Sequence, residues 1–194
     1  MLILSSNSPR RKELLAGLGI PFKTLVIQGI YESYPDTLPA CDIAEYISVK
    51  KAAPYRDALI GTDNIVLTAD TVVVLGNSVM GKPTDEQDAY RMLSALSGHT
   101  HQVYTGVCLT TANVQRHFSV CTDVTFKALS DDEIWHYIRE YKPLDKAGAY
   151  GIQEWIGYIG ITSIRGSYYN VMGLPVQRIY EELRKMPQTH GSER

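Results

Sequence analysis

Along the chain, short apolar runs alternate with stretches whose apolar residues recur every three or four positions, the pattern of strands and helices that builds an α/β domain. Leu2-Ile3-Leu4 predicts a first strand. It leads into Ser8-Pro9, where Ser8 suits a helix N-cap and Pro9 the first helical position; Leu14, Leu15 and Leu18 form the apolar stripe, and Gly19 can end the helix. Phe22 to Ile27 predicts a second strand, Tyr31 to Pro39 a polar loop, and Ile43 to Ala53 a helix. Ile65 to Leu67 and Val72 to Leu75 read as buried strand flanking Ala69-Asp70-Thr71. Thr84 with Gln87 forms a capping box for a helix carrying Ala89, Met92, Leu93 and Leu96, closed by Gly98. Val103 to Thr110 and His117 to Phe126 predict a hairpin around Ala112-Asn113, and Ser130 with Glu133 opens a helix through Ile134, Tyr137 and Ile138. Lys142 to Gln153 reads as a functional loop, Ile159 to Ile164 as strand, Pro175 to Met186 as a last helix, and Gln188 to Arg194 as a frayed tail.

A length of 194 residues suits one domain, or two lobes around one cleft. A chain of this size buries about 70% of its unfolded surface, so a core needs neither disulfide nor metal. With 19 basic against 21 acidic residues the net charge is -2, which argues against a dedicated duplex-binding protein. The apolar runs are too short to span a bilayer, and Met1-Leu2-Ile3-Leu4 lacks the basic and long apolar regions of a signal peptide. Cys41, Cys108 and Cys121 have no CxxC spacing, and the expectation is free thiols in a reducing cytoplasm.

Four stretches could carry chemistry. In Ser5-Ser6-Asn7-Ser8-Pro9-Arg10-Arg11 a strand meets a helix N-terminus, whose free N–H groups, hydroxyls and two guanidiniums suit a phosphate; the alternative is a capped helix with solvated arginines. No GxxxxGK[ST] occurs, which argues against a P-loop NTPase. Asp70 between two apolar runs is costly unless paired, and reads either as a bulge or turn, or as a base or metal ligand at a strand end lining a cleft. Glu32, Lys51, Lys82 and Lys146 are individually unremarkable, although Lys82 sits in a tight Gly-Lys-Pro loop. Asp145-Lys146-Ala147-Gly148-Ala149-Tyr150-Gly151-Ile152-Gln153 is either a structural turn or a segment that a ligand can approach closely. The histidines form no HExxH or CxxC arrangement, and the pair His99 and His101 is a weak zinc candidate.

Taken together, Ser6 to Arg11, Glu32, Lys51-Ala52, Ala69 to Val73, Gly81-Lys82-Pro83, Tyr104 to Val107, Asp145 to Gln153, Gly166 to Val171 and Gly173-Leu174-Pro175 occur in the order of the Maf family, which this chain resembles over nearly its whole length. The resemblance implies hydrolysis of a nucleoside triphosphate to the monophosphate and pyrophosphate, assisted by a divalent cation, Mg²⁺ or Mn²⁺. It implies a two-lobed α/β fold with a mixed central sheet and flanking helices, similar to the inosine triphosphate pyrophosphatases, over residues 1–187. By this resemblance Asp70 is the general base and, with Glu32, a metal ligand, while Ser8, Arg11, Lys51 and Lys82 bind the triphosphate. Arg10, Thr71 and Gln153 match the subgroup acting on dTTP and UTP; the 7-methyl-GTP subgroup has an aromatic residue at the place of Arg10 and Glu at that of Gln153. Where the family continues with a Gly-rich stretch after Gln153, this chain reads Glu154-Trp155-Ile156-Gly157-Tyr158. The resemblance suggests a homodimer and gives no role to nucleic acid or membrane. The alternative reading is a non-catalytic regulator of septum formation; the presence of Asp70, Glu32 and the lysines speaks for the enzyme.

Overall fold

The computed structural model describes residues 1–186; the tail expected over 188–194 lies outside the described residues. One mixed sheet contains β1 (Leu2–Leu4), β2 (Phe22–Thr24), β3 (Ile65–Leu75), β4 (Ser78–Met80), β5 (Thr100–Thr110), β6 (Gln115–Phe126) and β7 (Ile161–Arg165). Their order is β2-β1-β3-β5-β6-β7, with β4 attached to β3. β1 runs parallel to β2 and β3, and every other pairing is antiparallel. The helices are α1 (Pro9–Ala16), α2 (Ala40–Ala52), α3 (Arg56–Leu59), α4 (Glu86–Leu96), α5 (Asp131–Tyr141), α6 (Trp155–Gly160), α7 (Tyr168–Val171) and α8 (Val176–Lys185). This is the mixed sheet with flanking helices that the sequence implies.

Local chemistry accounts for several boundaries. Ser8 caps α1 by accepting from the Arg11 N–H, and Ser130 and Glu133 cap α5 with both bonds of a capping box. Four expectations need correction. α4 is capped by Asp85, whose side chain accepts from the Asp88 N–H, rather than by Thr84; Thr84 instead donates to the Asp88 carboxylate. β2 stops at Thr24, and the residues after it enter the cleft described below. The stretch expected as a strand from Ile159 begins as the end of α6, because the chain turns tightly at Gly157 before joining β7. A Cβ on Gly157 would stand 1.8 Å from the Ile152 carbonyl oxygen.

The fourth correction concerns Asp70. It stands neither at a bulge nor at a strand end: β3 is continuous, and its pairing with β5 runs from Val66↔Thr110 to Val74↔Gln102, with Asp70 opposite Gly106. Polar residues are tolerated mid-strand because each finds a partner. Thr68 donates to the Ser48 carbonyl at 2.7 Å, Asp70 pairs with Lys51, and Thr71 accepts from Arg11.

Alternation along β3 assigns its two faces. Thr68, Asp70, Val72 and Val74 face α2, whose Ile43, Ala44 and Ile47 pack on the two valines. The other face carries two apolar clusters. One gathers Leu2, Leu4, Leu15, Leu67, Leu109 and Ile179; the other gathers Val73, Leu93, Val103, Phe126, Tyr137 and Ile156. A polar seam divides them. Arg11 Nη2 donates to Thr71 Oγ1 at 3.0 Å, the Thr71 and Thr105 hydroxyls are 3.0 Å apart, and Thr105 donates to the Asn170 carbonyl at 3.0 Å. The Asn170 amide continues the seam to Thr122 Oγ1 and the Val103 carbonyl, each at 3.0 Å. Among the described residues no helix is long and apolar enough to cross a membrane.

His101 sits in the second cluster, fully buried, stacked on Phe126 and 2.8 Å from the Tyr150 hydroxyl. Burial pushes its pKa down from 6.5 to about 4. The unfolded chain therefore binds a proton that the folded chain refuses as pH falls from 6.5 towards 4, and stability drops across that window, by about 3 kcal/mol in all. Denaturant titrations at several pH values should show this slope in the wild type and lose it in His101→Gln. A slope unchanged in the variant would clear His101 of the acid sensitivity.

Candidate active site

The cleft exists because β3 is flanked incompletely. On one side β1 pairs with it only over Ile65–Leu67, and β4 only over Val73–Leu75. Between those segments the β3 edge has no neighbouring strand among the described residues, and a cleft of about 690 Å³ opens there. The open edge explains how Asp70 and Thr71, which point to opposite faces of the sheet, both line it. The turn from Ser5 into α1 lies beyond the carboxyl end of β1, so the N-terminus of α1 borders the cleft; ligands in open α/β sheets bind at such strand ends.

All the site residues expected from the sequence line this one cleft: Asp70, Glu32, Ser8, Arg11, Lys51 and Lys82, with Arg10, Thr71 and Gln153. Lys51, from the last turn of α2, reaches Asp70 Oδ1 at 2.7 Å and Glu32 Oε1 at 2.8 Å. One ammonium thus draws together two carboxylates that lie 38 positions apart in the chain. Burial tends to raise the Glu32 pKa, but the hydrogen bond and charge of Lys51, aided by Lys82 and Arg11, outweigh it and hold the carboxyl below its ordinary value.

Arg11 is more constrained than a solvated arginine. Nε donates to the Gly173 carbonyl at 2.8 Å, Nη1 to the Ala69 carbonyl at 2.9 Å, and Nη2 to Thr71. It thereby closes part of the unpaired β3 edge, and two of its five N–H donors are left over. Thr105 spends its proton on Asn170, so in the bond between the threonines Thr71 is the donor. Thr71 accepts from Arg11 and donates to Thr105, so both roles of its hydroxyl are occupied within the protein. Ser8 Oγ accepts from the Arg11 N–H and keeps its own proton for a ligand.

Lys82 is fixed through its loop, since the Gly81 carbonyl accepts from Gly148 N–H at 3.0 Å and joins it to the 145–153 segment. In that segment Arg10 meets Asp145 at 3.3 Å, and Lys146 meets Asp145 at 2.7 Å and Glu154 at 3.2 Å. Gln153 Oε1 is buried without a hydrogen-bond partner among the described residues. A buried acceptor left without a donor costs about 1–3 kcal/mol, which favours any turn of the amide that brings this oxygen to a donor in the cleft the residue lines.

Glu32 and Asp70 converge on the Lys51 ammonium, and each has a second carboxylate oxygen of the kind a hard divalent ion takes when it is bound mainly by substrate phosphates and water. No group of three or more His, Cys, Asp or Glu able to hold a metal occurs among the described residues, and His101 is buried within the apolar cluster. Thr105, Asn170 and Gly173 lie in stretches that carry the resemblance but were given no role there; Gly173 accepts from Arg11, Thr105 bonds Thr71, and Asn170 joins through Thr105, all tertiary contacts. It passed over Tyr137 as a core residue, and noted Glu154 only as a departure from a pattern.

The model for the Maf-like protein family matches residues 1–186. A dTTP/UTP pyrophosphatase from Phocaeicola vulgatus is 62% identical over 185 residues, covering 95% of both chains. A dTTP/UTP pyrophosphatase from Bacteroides thetaiotaomicron is 52% identical over 185 residues, again 95% of both. Among solved structures, a nucleoside-triphosphatase (dITP/XTP pyrophosphatase) from Mycobacterium abscessus is 13% identical with a TM-score of 0.41, covering 94% of each chain.

Proposed function

The chain belongs to the Maf-like protein family, and from that premise we propose that it hydrolyses dTTP and UTP to the monophosphate and pyrophosphate, with Asp70 as the general base. The observation that carries the reading is the bridging of Glu32 and Asp70 by Lys51 at one open strand edge, within a cleft also lined by Ser8, Arg11 and Lys82. Phosphoryl chemistry needs charge neutralisation and in-line positioning more than covalent help, and these groups supply both.

Asp70 presents one oxygen to Lys51 and keeps the other for a water proton. Lys51 orients that carboxylate. Arg11, fastened by three acceptors, offers its remaining N–H groups to phosphate oxygens; Lys82 and the N-terminus of α1 with Ser8 add to the anion site. Glu32 and Asp70 would hold a divalent cation, Mg²⁺ or Mn²⁺, which when bound neutralises phosphate charge and makes a coordinated water more acidic.

For the base, uracil and thymine present an O4 acceptor beside an N3–H donor. A neutral Gln amide complements both, and Gln153 lines the cleft with its Oε1 still unpartnered among the described residues, so a turn of the amide would bring it to N3–H. An N7-methylguanine ring presents two donors and a positive charge, which a carboxylate and an aromatic residue would suit better than Gln153 and Arg10. Pyrophosphate release from a nucleotide panel with Mg²⁺ or Mn²⁺ tests the proposal. UTP and dTTP should turn over faster than 7-methyl-GTP; the reverse order would refute the subgroup, and no turnover of any nucleotide would refute the enzyme. Gln153→Glu should lower kcat/KM for UTP by about 10–100-fold, since a carboxylate would face the O4 acceptor and leave it unpaired. Unchanged UTP kinetics in that variant would remove Gln153 from base recognition.

A further inference from the structure

We infer that Glu154 is a positioning residue for base recognition, one that holds Gln153 in register through a clamp formed with Tyr137 and Lys146. The inference rests on the assignment of Gln153 to the base. Residues 151 to 154 form a closed ring of contacts. The Gly151 N–H donates to the Tyr137 hydroxyl at 3.0 Å, that hydroxyl donates to Glu154 Oε2, and the Glu154 N–H returns to the Gly151 carbonyl at 3.0 Å. Ile152 and Gln153 are enclosed by this ring. Ile152 is buried in the core, which leaves Gln153 as the side chain the ring delivers to the cleft.

Each part of the ring is tightly constrained. Tyr137 is fully buried on α5, and burial together with the Glu154 carboxylate pushes its pKa well above the ordinary value, so it remains a hydrogen-bond donor. The Glu154 carboxylate lies directly over Gly151; a Cβ there would stand 2.8 Å from the carboxyl carbon. Its other oxygen pairs with Lys146, itself only 8% exposed. Through Lys146 and Asp145 the ion pairs extend to Arg10 on α1. The two positions assigned to base selection, Arg10 and Gln153, are thus joined by a continuous chain of charged contacts in which Glu154 is the member adjacent to Gln153. None of these linking residues needs to touch substrate to act.

Glu154→Gln keeps the shape and an acceptor for Tyr137 but removes the charge facing Lys146; Tyr137→Phe cuts the ring at its hydroxyl. In the full-length protein each variant should raise the KM for UTP by about tenfold, a coupling typical of residues in one network, with a smaller change in kcat. Competitive inhibition by inorganic tripolyphosphate, which has no base, should weaken much less. The decisive measurement is a double-mutant cycle with Gln153→Ala: once Gln153 is gone, Glu154→Gln should have little further effect on the KM for UTP. An equal effect in both backgrounds, or a parallel loss of tripolyphosphate inhibition, would assign Glu154 a purely structural role and overturn the inference. Gln153→Ala with wild-type UTP kinetics would overturn the assignment of Gln153 and the inference with it. A Gln153→Ala defect beside wild-type kinetics in both clamp variants would overturn the inference alone.

Discussion

Replacing Asp70 by asparagine is expected to reduce kcat for UTP by about 10²–10⁴-fold while leaving the fold intact. The amide is nearly the same size and can still accept from Lys51 Nζ, which lies 2.7 Å from Oδ1. It cannot take a proton from water. Because Asp70 lies in the middle of β3, paired opposite Gly106, the backbone ladder should hold its position whatever the side chain. The substitution also removes the negative charge opposite Lys51, leaving Glu32 as the remaining carboxylate on that ammonium. Thermal unfolding of the variant should therefore stay close to wild type while pyrophosphate release collapses. Unchanged kcat in a correctly folded variant would mean that Asp70 serves only to anchor Lys51.

Gly106→Ala is expected to be strongly destabilising and to damage the site as well. Gly106 lies opposite Asp70 on β5, on the face covered by α2. A Cβ there would stand 2.2 Å from the carbonyl carbon of Ala44 and from the amide nitrogen of Glu45, which are backbone atoms and cannot swing aside as a side chain would. α2 would have to lift from the sheet, loosening the packing of Ile43 and Ile47 on Val72 and Val74 and drawing Lys51 away from Asp70. Overpacking that displaces backbone costs on the order of 3 kcal/mol or more. Denaturant unfolding should show that loss, and the folded fraction should also hydrolyse UTP poorly. A stable, active Gly106→Ala protein would mean that α2 can shift without penalty.

The local signals in the chain were strong where one residue type has one physical use. Ser8-Pro9 and Ser130 with Glu133 opened helices because caps and fixed φ angles act within a few residues. The hairpin around Ala112-Asn113 was legible over Val103 to Thr110 and His117 to Phe126, and the strands extend it back to Thr100 and Gln115. At Thr84-Asp85 two adjacent capping residues competed, and spacing alone could not rank them. The apolar run through Ile159 carried no periodicity able to separate a short helix from a strand, and the close approach of Gly157 to Ile152 settled it.

By itself the sequence determined the α/β class from its alternating elements, and the ordered stretches from Ser6 to Pro175 determined the family; Glu32, Lys51 and Lys82 were singled out only through that resemblance, because taken one at a time a loop carboxylate or a lysine carries no signal. Only the tertiary structure decided how they work together. That β3 runs unbroken through Asp70, that its edge lies open between β1 and β4, and that Arg11 is spent largely on Gly173, Ala69 and Thr71 all depend on partners up to 162 positions away in the chain. The same holds for Glu154, whose carboxylate is given its role by Tyr137 and Lys146. A hydrogen bond or ion pair between remote residues leaves no mark on the local pattern of either segment, because propensity and periodicity record only what neighbours along the chain impose on one another.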